Sequence, residues 1–95
     1  MARVEVLDER EAAAGWVFRV RITQGEGGTT EHAVGLSWVD HDYWSGGACS
    51  PAKVVQRVME YLIERAPDGV IPQRLDAASV RRRYPEIDDV LCGRL

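Results

Sequence analysis

Between Ser50 and Arg65, six apolar residues (Val54, Val55, Val58, Met59, Leu62 and Ile63) recur in pairs four residues apart. That spacing gathers all six on one face of an α-helix. Lys53, Gln56, Arg57, Glu60, Glu64 and Arg65 fall on the other face. Ser50 is placed to accept a hydrogen bond from an orphan amide at the helix start. Pro51 suits the first helical position because it has no amide to leave unpaired. The helix is predicted to stop near Ala66, since Pro67 disfavours helical backbone in the residue before it.

The first forty residues change period from four to two. Val4 to Leu7 alternates over a short stretch and predicts a first strand. Asp8 to Gly15, charged and alanine-rich, is expected to be a loop or one helical turn. Trp16 to Thr23 then gives the clearest strand signal, with Trp16, Phe18, Val20 and Ile22 on one side and Val17, Arg19, Arg21 and Thr23 on the other. Gly25-Glu26-Gly27-Gly28 supplies turn chemistry. A return strand is expected from about Thr29 to Val39, with His32, Val34, Leu36 and Trp38 sharing a face. Asp40 is expected to cap a short helical turn through His41, Asp42, Tyr43 and Trp44, ended by Gly46-Gly47. After the long helix, Asp68-Gly69 reads as a turn. Asp76 is expected to cap a helix from Ala77 to about Tyr84, stopped by Pro85, with one more turn over Glu86 to Leu91.

These elements predict one α+β domain over residues 1–95: a three-stranded antiparallel meander, one long amphipathic helix packed on it, and a short C-terminal helix. The helix stripe and the face carrying Trp16, Phe18, Val20, Ile22, Val34 and Leu36 are each other's natural cover.

Composition narrows the function classes. A net charge of −3 argues against indiscriminate binding to nucleic acid or anionic membrane. The N-terminal residues are charged throughout, without the apolar core of a signal peptide, and no run approaches the ~18 apolar residues of a membrane span. A cytoplasmic protein is expected. Cys49 and Cys92 are too few and too far apart for a disulfide framework or a zinc site, which predicts reduced thiols.

Candidate chemistry is sparse. Asp40-His41-Asp42 with Cys49 is the densest group of acid–base or ligating residues, but it matches no zinc spacing and offers too few oxygens for a hard cation. Cys49 precedes a helix start, where a thiol can be activated, and His32 and His41 make a Cys–His pair formally available. No oxyanion-hole glycine signature or orienting Asn stands at a recognisable spacing. The glycines at 25–28 lack the Lys-Ser/Thr and following helix of a phosphate loop. Arg81-Arg82-Arg83 is the one basic cluster, and Arg19 and Arg21 add two cations to a strand face. Helical neighbours point about 100° apart, so the three consecutive arginines do not form one flat patch. Trp38, Tyr43 and Trp44 concentrate aromatic surface at the sheet-to-helix junction, where exposed rings would serve as partner anchors.

Several features recur, in this order, in a group of short uncharacterised bacterial and archaeal proteins, which the chain resembles. They are Gly46-Gly47, Ser50-Pro51, the run Tyr61-Leu62-Ile63-Glu64-Arg65-Ala66-Pro67, Leu75-Asp76 and Tyr84-Pro85-Glu86. The shared residues are caps, helix and turn positions over roughly half the chain, so the resemblance carries no catalytic or binding residue with it.

The expected function is a non-enzymatic protein–protein interaction or accessory module, needing no cofactor and no metal. Its candidate partner-binding residues are Trp38, Tyr43, Trp44, Arg81, Arg82 and Arg83. The partner is an unidentified protein or a second copy, joined through a sheet edge or the Trp38–Trp44 region. Two alternatives belong to other classes. One is a small nucleic-acid-associated regulator using Arg19, Arg21 and Arg81 to Arg83; the other is a thiol-dependent enzyme using Cys49.

Overall fold

A computed structural model describes residues 2–24, 28–46, 49–65 and 71–91. Three long strands open the chain: β1 (Ala2–Ala12), β2 (Gly15–Gln24) and β3 (Thr29–Ser37). Two helices follow, α1 (Trp38–Ser45) and α2 (Pro51–Arg65), then a three-residue strand β4 (Arg74–Asp76) and two short helices, α3 (Ala77–Arg83) and α4 (Ile87–Leu91). The strand order is β1-β2-β3-β4. β1–β2 and β2–β3 pair antiparallel, as the expected meander does, whereas β4 joins β3 in parallel. The fold is α+β with a mixed four-stranded sheet, which corrects the three-stranded expectation.

β4 escapes a sequence reading because Arg74-Leu75-Asp76 is too short to show alternation. Only Leu75 is half-buried, and the β3 backbone supplies the pairing, beginning with the Ala33 amide donating to the Gln73 carbonyl at 2.8 Å. The second correction lies in β1. Instead of turning away at Asp8, the strand runs on to Ala12, pairing Asp8 with Arg19 and Ala12 with Gly15. The register shifts between Val6 and Asp8, so Leu7 is an extra residue and the alternation changes phase there. Backbone pairing, not side-chain burial, carries this charged half of the strand. At the following turn Gly15 lies so close to the Leu36 carbonyl that a Cβ would clash with it, a position only glycine fills. Of the expected β2–β3 turn, residues 25–27 lie outside the described residues; Gly28 takes a left-handed φ of +86°. The turn expected at Asp68-Gly69 also lies outside them.

The inner sheet face and α2 cover each other as the periodicity requires. Phe18, Val20, Ile22, Val34 and Leu36 are buried against Val54, Val55, Val58, Met59 and Leu62, and Ile63 packs at the margin. α2 lies chiefly on β1. Ser50 starts the helix as expected, its hydroxyl accepting from the Lys53 amide at 3.3 Å. Trp44, Tyr61, Val80, Ile87 and Leu91 extend the same core beneath the short helices. His32, buried on the inner face, has both ring nitrogens engaged, Nε2 with the Thr30 hydroxyl at 2.8 Å and Nδ1 with the Pro72 carbonyl at 2.7 Å. It ties the segment before β4 to β3.

Candidate functional site

α1 begins two residues before the expected cap. Ser37 takes extended backbone, and its hydroxyl accepts from the Asp40 amide at 3.1 Å, so Ser37 and not Asp40 is the N-cap. Trp38 therefore leaves the strand and opens the helix, its amide donating to the Ala14 carbonyl of the β1–β2 turn at 2.9 Å. Gly46, with a left-handed φ of +60°, closes α1 and donates to the Asp42 carbonyl at 2.7 Å. Gly47 lies outside the described residues.

These two ends fix which way each aromatic points. Trp44 is fully buried, and its indole N–H donates to Asp88 of α4 at 2.8 Å. Trp38 is 54% exposed, Val39 74% and Tyr43 48%. The expected trio of anchors divides accordingly: Trp38 and Tyr43 face outward and are joined by Val39, while Trp44 holds the helix from beneath and offers no surface. Val39, expected as the last residue of a strand, joins them only because the helix start at Trp38 sets it one turn before Tyr43.

Arg81 of α3 fastens this arrangement. Its Nη1 donates to buried Asp40 at 3.1 Å, its Nε meets the Asp88 carboxylate at 3.0 Å, and its guanidinium lies 4.3 Å over the Tyr43 ring. The Asp88 hydrogen bond, opposed by partial burial, raises the Arg81 pKa further above its ordinary value, so the cation is permanent. Asp88 thus accepts from both Trp44 and Arg81, and α1, α3 and α4 share one polar joint. The signal in the chain was the Ser37-x-x-Asp40 pattern, which marks a helix start without naming the distant arginine.

The remaining arginines are dispersed. Arg82 and Arg83 are exposed, and Arg83 lies 5.7 Å from the Tyr84 ring centre. Arg19 and Arg21 stand on the outer sheet face, 3.6 Å from Asp8 and from Glu31 respectively. Arg81 is thus taken up by a structural joint, and the five cations proposed as a nucleic-acid surface divide among different tasks. Cys49 is half-buried; it is the Cys49 carbonyl, not the sulfur, that accepts from His41 Nε2, at 2.7 Å. The His41 ring also meets Trp16 edge-on at 5.4 Å, which gives it a packing role at the junction. Among the described residues, no group of three or more His, Cys, Asp or Glu side chains is placed to hold a metal ion, and no helix is long and apolar enough to cross a membrane.

Comparison with protein-family models, with curated proteins and with solved structures gives no match to this chain.

Proposed function

We propose that this protein is a non-enzymatic interaction module that docks a protein partner through the outer face of α1, with Trp38, Val39 and Tyr43 as anchors and Arg81 at their edge. The observation that carries this is Trp38 standing more than half exposed beside a nearly bare Val39 on a helix pinned from below by Trp44, Asp40 and Arg81. Large apolar side chains on a pre-ordered backbone lose little conformational freedom on binding. Trp, Tyr and Arg are also the side chains that dominate interface energetics. A sheet-edge contact is the weaker route. β1, the long edge, carries Arg3, Glu5, Asp8, Glu9, Arg10 and Glu11 and is bulged at Leu7, features that discourage edge-to-edge pairing; β4, the opposite edge, is three residues long.

The double variant Trp38→Ala/Val39→Ser tests the proposal. Its thermal midpoint is expected to stay within a few degrees of the parent, because neither side chain belongs to the core. Its complex, whether with a partner isolated from the native host or with a second copy followed by sedimentation, is expected to weaken by about 2 kcal/mol or more. An unchanged affinity in the folded variant would remove α1 as the docking surface.

A further inference from the structure

The sheet face turned away from α2 contains a hollow of about 460 Å³, within the size range of small-ligand sites. Strand register shows how it is built. Arg10 lies opposite Val17, Val17 opposite Gly35 and Gly35 opposite Asp76; in the next row Asp8, Arg19, Ala33 and Arg74 stand side by side. Directly opposed residues share a face. Within the hollow the floor is therefore Val17 and Ala33, beside the Arg19 side chain, while Gly35, next along, is covered by the Asp76 carboxylate. An arginine rises from each edge strand. The extra residue at Leu7 makes this possible: without its change of phase, Arg10 would project to the α2 side.

The charges around the hollow are unevenly satisfied. Arg19 is held by Asp8, and Glu31 by Arg21. Arg10 and Arg74 are exposed and have no ion pair among the described residues, although both line the hollow. Three inter-strand spacings of about 4.8 Å separate β1 from β4, so the edge strands stand roughly 14 Å apart. Arg10 and Arg74 stand in neighbouring rows, and their side chains are long enough to reach one oxyanion held between them. Guanidinium groups offer paired N–H donors that match the oxygens of a phosphate or carboxylate. A flat apolar group fits the floor, where Val17 is already partly bare.

We infer that this outer face binds a small ligand carrying a phosphate or carboxylate on a flat apolar ring. The oxyanion is clamped between Arg10 and Arg74, and the ring rests on Val17 and Ala33. The site is separate from the α1 surface, so either assignment stands without the other.

The test is a titration of the isotopically labelled protein with phenyl phosphate and, separately, benzoate, followed by backbone amide shifts. Saturable shifts are expected at Arg10, Val17, Ala33 and Arg74, with affinity that falls as salt is added. The tighter of the two probes identifies phosphate or carboxylate as the preferred group. Arg10→Gln/Arg74→Gln, which alters only exposed side chains, is expected to leave thermal stability unchanged and weaken binding at least about tenfold. Ala33→Glu, which fills and charges the hollow, is expected to abolish it. Three results would each overturn the inference: no saturation by either probe up to about 10 mM, an unchanged affinity in the folded double-arginine variant, or inorganic phosphate binding as tightly as phenyl phosphate.

Discussion

Arg81 serves two carboxylates and one aromatic ring, and its removal is expected to cost more than a surface ion pair would. Without it, Asp40 stays buried with an uncompensated charge and Asp88 keeps only the Trp44 indole. Arg81→Ala should lower stability by about 2–3 kcal/mol, less than for a fully desolvated pair because the arginine is one-third exposed. Urea denaturation measures this; a loss below ~0.5 kcal/mol would make the joint ornamental. Tyr61 presents the opposite case. Its hydroxyl is buried with no well-aligned hydrogen-bond partner among the described residues, and burial, opposed by the charge of Arg65 and reinforced by the nearby Glu86 carboxylate, pushes the phenol above its ordinary pKa. Because the folded value is the higher one, stability should hold below the ordinary tyrosine range and fall as pH rises through the raised value. Tyr61→Phe is expected to be neutral or up to ~1 kcal/mol more stable at neutral pH, and to lose less stability than the parent under alkaline conditions. Melting curves at neutral and strongly alkaline pH decide the matter. At this scale the sequence was only partly readable. Trp38 and Trp44 are the same residue type six positions apart, and their opposite fates follow from a cap at Ser37 that moves the helix start.

Elements with a full period were legible and elements without one were not. α2 shows its stripe over four turns, and β2 alternates cleanly from Trp16 to Thr23; both stand where the spacing put them, within a residue or two. The far half of β1 is written in Asp, Glu, Arg and Ala, residues poor in strand preference, and its alternation is interrupted at Leu7. β4 is defined by the β3 edge waiting for it. The exposed arginine pair Arg10 and Arg74 was invisible for the same reason, since one sits past the bulge and the other on the unrecognised strand. α1 is the element most dependent on its ends. At Gly46 a Cβ would meet nothing within 4 Å, so the cost of replacing it is purely that of the left-handed backbone. Gly46→Ala is expected to destabilise by about 1 kcal/mol, read as a lower urea midpoint with the slope unchanged.

Among the described residues one apolar cluster draws side chains from β1, β2, β3, α1, α2, α3 and α4. Phe18 sits fully buried within it, so Phe18→Asp combines a lost aromatic with an unpaired carboxylate and should exceed the few kcal/mol available to a chain this short. Sheet and helix signals are expected to vanish together in circular dichroism; helical signal surviving alone would show that α2 stands without the sheet. The parallel seam between β3 and β4 makes the interdependence topological. The meander contributes three strands but leaves their inner side bare, and everything after α1 contributes the cover but only three residues of strand. Neither portion is a sub-fold in its own right. A cut in the backbone between α1 and α2 would therefore leave two halves that are individually formless yet mutually templating, the geometry from which a conditional, split reporter is made.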